Sequence, residues 1–170
     1  MKKLLKVALV AACIVFAGNM AKAQVKIGYI ALDQLVDQMP ETKVALKTIT
    51  DYNKQFIDVL TSMNNEYQAK GQAYTAQRST MTDAIRTSKE AELADLQKRL
   101  QDEQTTAQQQ VDAKRSELGK PIIDKVRAAA AQVAKEKGYT YVINSSQTDL
   151  IVSPPGDDIM ADVKAKLGLK

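Results

Sequence analysis

Met63, Tyr67, Tyr74 and Met81 are the side chains of this sequence whose chemistry points most clearly to an action on another molecule. Thioethers and phenols adapt to varied apolar surfaces, and flexible methionine surfaces suit promiscuous binding. Groups for covalent or acid–base chemistry are scarce by comparison. The chain has no histidine, and its one cysteine, Cys13, lies in an N-terminal apolar stretch. Once that stretch is removed, neither imidazole nor thiolate remains as general base, nucleophile or soft metal ligand. There is no phosphate-binding glycine loop and no Ser-x-x-Lys spacing. The carboxylate pairs Asp102–Glu103 and Asp157–Asp158 fit a solvated helix face and a helix cap. These residues argue against an enzyme and call for no cofactor and no metal.

The N-terminus carries an export signal. Lys2, Lys3 and Lys6 form a basic region, Leu4 to Ala17 an apolar run, and Ala21-Lys22-Ala23 a small-residue cleavage site before Gln24. The run is too short to span a bilayer. Val10-Ala11-Ala12-Cys13 has the look of a lipoprotein signal, but Ile14-Val15-Phe16 continue the apolar run past it. Cleavage after Ala23 is therefore expected, with a Cys13 anchor as the minor alternative. The full chain holds 24 Lys+Arg and 20 Asp+Glu, and four of the lysines (2, 3, 6 and 22) leave with the leader. The mature chain is neutral, with 20 of each sign. It lacks the basic stripe that nucleic-acid binding wants, so no nucleic-acid partner is expected.

The candidate side chains must be positioned by two long apolar stripes that mirror each other. One descends through Ile49, Phe56, Leu60, Met63, Tyr67 and Tyr74, and the other ascends through Leu93, Leu100, Ala107, Val111 and Leu118. Steps of three, four and seven are helical. Pairing Tyr74 with Leu93, Tyr67 with Leu100 and so on to Ile49 with Leu118 gives a constant sum of 167, the mark of an antiparallel helical hairpin. The spacing predicts an arm over residues 40–119 with its tip near 82–85. Tyr67 and Tyr74 fit the seam of that hairpin, whereas Met81 has little opposite it. Gly71 and the polar, glutamine-rich stretch 101–110 leave the distal arm thinly cored and flexible.

Around the arm the sequence predicts a small α/β body, residues 24–39 and 120–170. Val25, Ile27 and Tyr29 alternate as a short strand, Ile30 to Met39 forms a helical link, and Pro40 opens the first arm helix. The returning helix should run from about Arg86 to Glu136, kinked where Gly119 and Pro121 interrupt it, and Gly138 should cap it. Residues 139–144 and 149–153 read as a β-hairpin, and Asp157 as the cap of a last helix with Ile159, Val163 and Leu167 on one face. The fold class is α+β, mostly helical. Ile27, Tyr29, Val142, Ile143, Ile151 and Val152 sit in short strands that are apolar on both faces, which favours contacts between copies over a monomer core. The arm is also too thin to bury much surface alone.

Val25-Lys26-Ile27-Gly28-Tyr29-Ile30, Met39-Pro40-Glu41, Lys120-Pro121-Ile122-Ile123-Asp124-Lys125-Val126, Lys137-Gly138-Tyr139-Thr140-Tyr141-Val142-Ile143 and Asp158-Ile159-Met160-Ala161-Asp162-Val163-Lys164-Ala165-Lys166-Leu167, in this order, resemble the Skp/OmpH family of periplasmic chaperones. The likeness runs over 24–168. It implies a homotrimer with a barrel-like body of strands and three helical arms around a cavity. It also implies an ATP-independent holdase for unfolded outer-membrane proteins that passes them to the outer-membrane assembly machinery. The best-known relatives are strongly basic and this mature chain is not. That removes the charge basis for attraction to acidic clients, anionic lipid or lipopolysaccharide. An envelope coiled-coil adaptor without general chaperone activity is the competing reading.

Overall fold

A computed structural model describes residues 25–169. The expected leader, its cleavage site and Cys13 lie outside the described residues. The chain divides into two compact units, one of residues 25–32 with 129–168 and one of residues 33–128.

The first unit is built on β1 (Ile27–Ile30) and β2 (Tyr141–Asn144), which pair in parallel with Ile27 opposite Tyr141 and Ile30 opposite Asn144. Parallel pairing demands a long crossover, and the helical segments between the strands supply it. β1 also has a partner on its other edge. Tyr29 bridges to Asp158, and the Ile159 N–H donates to the Tyr29 carbonyl at 3.1 Å. Gly28 lets this edge close. A Cβ there would stand 3.1 Å from the Tyr139 ring and 3.2 Å from the Asp157 carbonyl oxygen. The core of the unit holds Ile30, Ala130, Val133, Ile159 and Val163.

The β-hairpin expected over 139–153 does not form. β2 ends at Asn144, whose Oδ1 accepts from the Leu32 N–H at 3.2 Å and the Ser146 N–H at 3.1 Å. Residues 149–153 form no strand, and Ile151 is 98% exposed. The chain does not return along β2 but crosses to the other edge of β1. Pro154 and the 3₁₀ turn Pro155–Asp157 carry the chain to the edge of β1, where Ile159 is fully buried. Asp157 does not cap the last helix α4 (Met160–Lys166): the N-cap residue is Ile159, and Asp158 Oδ1 accepts from the Met160 N–H at 2.8 Å just before it. Gly138 ends the preceding helix at φ +71°, the left-handed cap its sequence position suggests. The Tyr139 N–H returns to the Ala134 carbonyl at 2.9 Å.

The second unit holds most of the helix. Its elements are α1 (Leu32–Gln38), α2 (Pro40–Gln77) and α3 (Asp83–Glu136), with α1 entered from the first unit and α3 leaving into it. Pro40 begins α2, where its missing amide costs nothing. α2 gives way to a 3₁₀ turn, Arg78–Thr80, and an extended Met81. Thr82 then opens α3, its carbonyl accepting from Arg86 at 3.0 Å. The turn therefore lies at 78–82, upstream of the tip expected at 82–85, because a threonine followed by an aspartate starts a helix well. Contacts across the hairpin pair Glu41 with Lys125, Tyr52 with Gln110, Lys70 with Glu92 and Tyr74 with Glu90. Their numbers sum to 166, 162, 162 and 164, below the expected 167, as an earlier turn requires. α3 runs through Pro121 to Glu136, the end expected for the returning helix. Pro121 and Glu117 are both exposed, so water can take the carbonyl that proline leaves unpaired, while Ile122 and Val126 are buried.

Candidate binding surfaces

The stripe residues form the seam of the hairpin. Ala107 and Val111 are buried; Ile49, Phe56, Leu60, Met63, Tyr67, Tyr74, Leu93, Leu100 and Leu118 are half-buried. Leu96 is buried among them without having been picked out by the stripe, although it stands three residues after Leu93 and four before Leu100. Tyr52 meets the Phe56 ring edge-on at 5.1 Å. Met63, Tyr67 and Tyr74 thus spend part of their surface within the arm. The Tyr74 hydroxyl donates to Glu90 and accepts from Arg78 Nε at 3.2 Å. Met81 is half-buried beside the turn.

Apolar side chains that face solvent lie off the stripe, where a search for helical periodicity does not look. Val44, Leu46, Ile57 and Val59 on α2 and Ile85 on α3 are all exposed, Val44 by 68%. Near the start of α2 an apolar groove of about 490 Å³ is lined by Pro40, Val44, Ala45, Leu118, Pro121 and Ile122. The Glu41–Lys125 ion pair at 2.5 Å closes one rim, and the ammonium of Lys125 holds the Glu41 carboxyl below its usual range.

A second apolar surface lies on the strand unit. In-register neighbours on parallel strands share a face, so Ile27, Tyr29, Tyr141 and Ile143 lie together. Ile27 and Tyr141 are exposed and the other two half-buried. Val142 lies on the opposite face, next to Gly28. Ile151 and Val152 project from the loop after β2, almost fully in water. Among the described residues nothing covers Ile27, Tyr141, Ile151 and Val152, an uncommon state for neighbouring large apolar side chains.

The distal arm carries a charge cluster. Lys70 Nζ pairs with Glu92 across the hairpin and with Glu66 at 3.4 Å on its own helix, while Lys89 Nζ donates to the second Glu92 oxygen at 2.8 Å. Lys70 first, and then Lys89, hold the Glu92 carboxyl down to about 2, and Glu92 in turn raises Lys70. Among the described residues no group of three or more His, Cys, Asp or Glu side chains could hold a metal ion. No described helix is long and apolar enough to cross a membrane.

Comparison with known proteins places these surfaces in context. A family model described as outer membrane protein (OmpH-like) matches residues 26–167. No curated protein matches the chain. Among solved structures, a crystal structure described as an OmpH-like outer membrane chaperone from Caulobacter crescentus is similar, with a TM-score of 0.68. It is 16% identical, and the match covers 83% of this chain and 82% of that one. At that identity the likeness shows a shared fold.

Proposed function

The chain belongs to the OmpH-like outer membrane protein family, and from this premise we propose that it is a periplasmic, ATP-independent holdase for unfolded outer-membrane proteins. The observation that carries this reading is the set of apolar side chains the arm leaves in water: Val44, Leu46, Ile57, Val59 and Ile85. An isolated apolar residue on a helix needs no explanation, but five along one hairpin offer repeated weak contacts to an unfolded chain. Met63, Tyr67 and Tyr74 add their half-exposed edges, and Met81 adds a flexible contact near the turn.

Assembly supplies the rest. The strand face of Ile27, Tyr29, Tyr141 and Ile143, together with Val142 on the other face and the loop residues Ile151 and Val152, is assigned to contacts between copies in a homotrimer. Such an assembly would place three arms around one client. Weak contacts within one enclosure add through effective concentration, yet break one at a time. Binding and release then need no nucleotide, because insertion of the client into the outer membrane is the deeper free-energy well. What the arms shield is the client's apolar segments and unpaired strand edges, which otherwise aggregate. The leader expected over residues 1–23 accounts for export to the periplasm.

The test uses the exported chain and a β-barrel membrane protein diluted from urea without nucleotide. The chain should suppress aggregation, and Ile151→Asp with Val152→Asp should abolish both assembly and protection. Undiminished protection by a variant that no longer assembles contradicts the enclosure. Absence of protection by the wild-type chain, with tight binding to a single envelope protein, would favour the adaptor reading.

A further inference from the structure

Toward the turn, beyond Tyr74 and Leu93, apolar burial stops. In residues 75–91 no side chain is buried, and only Met81 and Arg86 are half-buried. Ile85, the one large aliphatic residue there, is exposed. The hydrophobic effect therefore does little to hold this segment in shape. What links the two helices at its base is polar: the Lys70–Glu92 pair, supported by Glu66 and Lys89, and the Tyr74–Glu90 hydrogen bond, supported by Arg78.

Gly71 follows Lys70 directly. A Cβ at Gly71 would meet nothing within 4 Å, so no close approach calls for glycine. Its physical effect is to weaken α2 at that point relative to alanine. A weak point in one helix thus sits beside the ion pair that bridges to the other.

We propose that Lys70, Glu92, Lys89, Tyr74 and Glu90 form a salt-sensitive latch that keeps the tip, residues 75–91, folded on the arm, with Gly71 as the point at which α2 yields when the latch opens. Exposed pairs taken singly contribute little, but here two cations share one carboxylate and a tyrosine adds a second bridge. Lys70 and Glu92 are each 38% exposed at the side chain, so added salt reaches them. Screening shortens from about 30 Å at 0.01 M to about 3 Å at 1 M ionic strength. High salt loosens the tip as a local unit, while the seam at Ala107 and Val111 stays closed. In functional terms the latch would set how readily the arm ends adapt to a client. That consequence rests on the holdase reading, whereas the latch itself does not.

Hydrogen exchange with mass spectrometry on the exported chain, without client, tests it. Exchange over 75–91 should rise about fivefold to tenfold between 0.01 M and 1 M salt, and exchange over 105–113 should stay level. Glu92→Gln should give the fast rate at both salts. Lys70→Met with Glu92→Leu should give a slow rate that salt no longer changes, since an apolar pair replaces the charged one. A tip whose exchange ignores salt in the wild type, or Glu92→Gln exchanging as slowly as wild type, overturns the latch. A latch that passes in a protein unable to suppress aggregation would instead refute the holdase reading.

Discussion

Replacing Gly71 with alanine should stiffen the arm. The glycine lies inside α2, its φ is not among the positive ones, and an added Cβ finds open space. Nothing steric therefore opposes the substitution, and the helix-propensity difference should appear almost whole, about 1 kcal/mol. As 1.4 kcal/mol is a factor of ten in an equilibrium, local opening around residues 68–76 should become about fivefold rarer. Amide exchange in that segment, measured where closing outpaces exchange, should slow by the same factor. Gly71→Ala should also recover part of the tip protection that Glu92→Gln loses, because both act on one opening. Unchanged exchange would show that α2 is already open at this point in the native ensemble. Faster exchange would show that the glycine serves a contact absent from the single chain. Either result refutes the reasoning from local geometry.

Gly28→Ala should act in the opposite direction. Its Cβ is crowded by the Tyr139 ring and the Asp157 carbonyl, and overpacking of this kind destabilises by about 1–3 kcal/mol, which a urea titration would read as a lower midpoint. Ile159→Ala removes a fully buried side chain next to the hydrogen bond on β1, a loss of about 2–5 kcal/mol; an unchanged midpoint would show that the strand unit does not limit stability. Acid should release the tip. The Glu92 carboxyl, faced by Lys70 and Lys89, is lowered from 4.5 to about 2. A lowered carboxylate contributes its stability fully above 4.5 and loses it as pH falls through about 2. Carbon-detected NMR titration of Glu92 should find its midpoint near the lower value, and a midpoint at the ordinary value would remove the ion-pair account.

The arm was legible because its signal is long and redundant. Mirror-image stripes from Ile49 to Tyr74 and from Leu93 to Leu118 leave little choice but a helical hairpin, and Pro40 and Gly138 mark helix ends by local chemistry alone. The tip was harder to place, since Thr82 and Asp83 can be read as turn residues or as a helix start, and the structure uses them as the start. Leu150-Ile151-Val152 look like a strand by composition. Composition does not say whether a partner strand lies in the same chain, and among the described residues the second edge of β2 has no partner strand. The exposed residues Val44, Leu46, Ile57 and Val59 carry no sequence signal for a related reason. Periodicity finds the residues a helix buries in its own hairpin, and these are the ones it leaves for something else. The polar latch was equally invisible, because Lys70 and Glu92 meet only once the turn is known.

Light scattering coupled to size exclusion on residues 24–170, the 147 residues left once the expected leader is removed, goes most directly to the central claim. A strand unit that leaves Ile27, Tyr141, Ile151 and Val152 in water should associate, and the measured mass should be three times that of one chain. A single-chain mass across the working concentration range would contradict the account, since no enclosure could then form around a client.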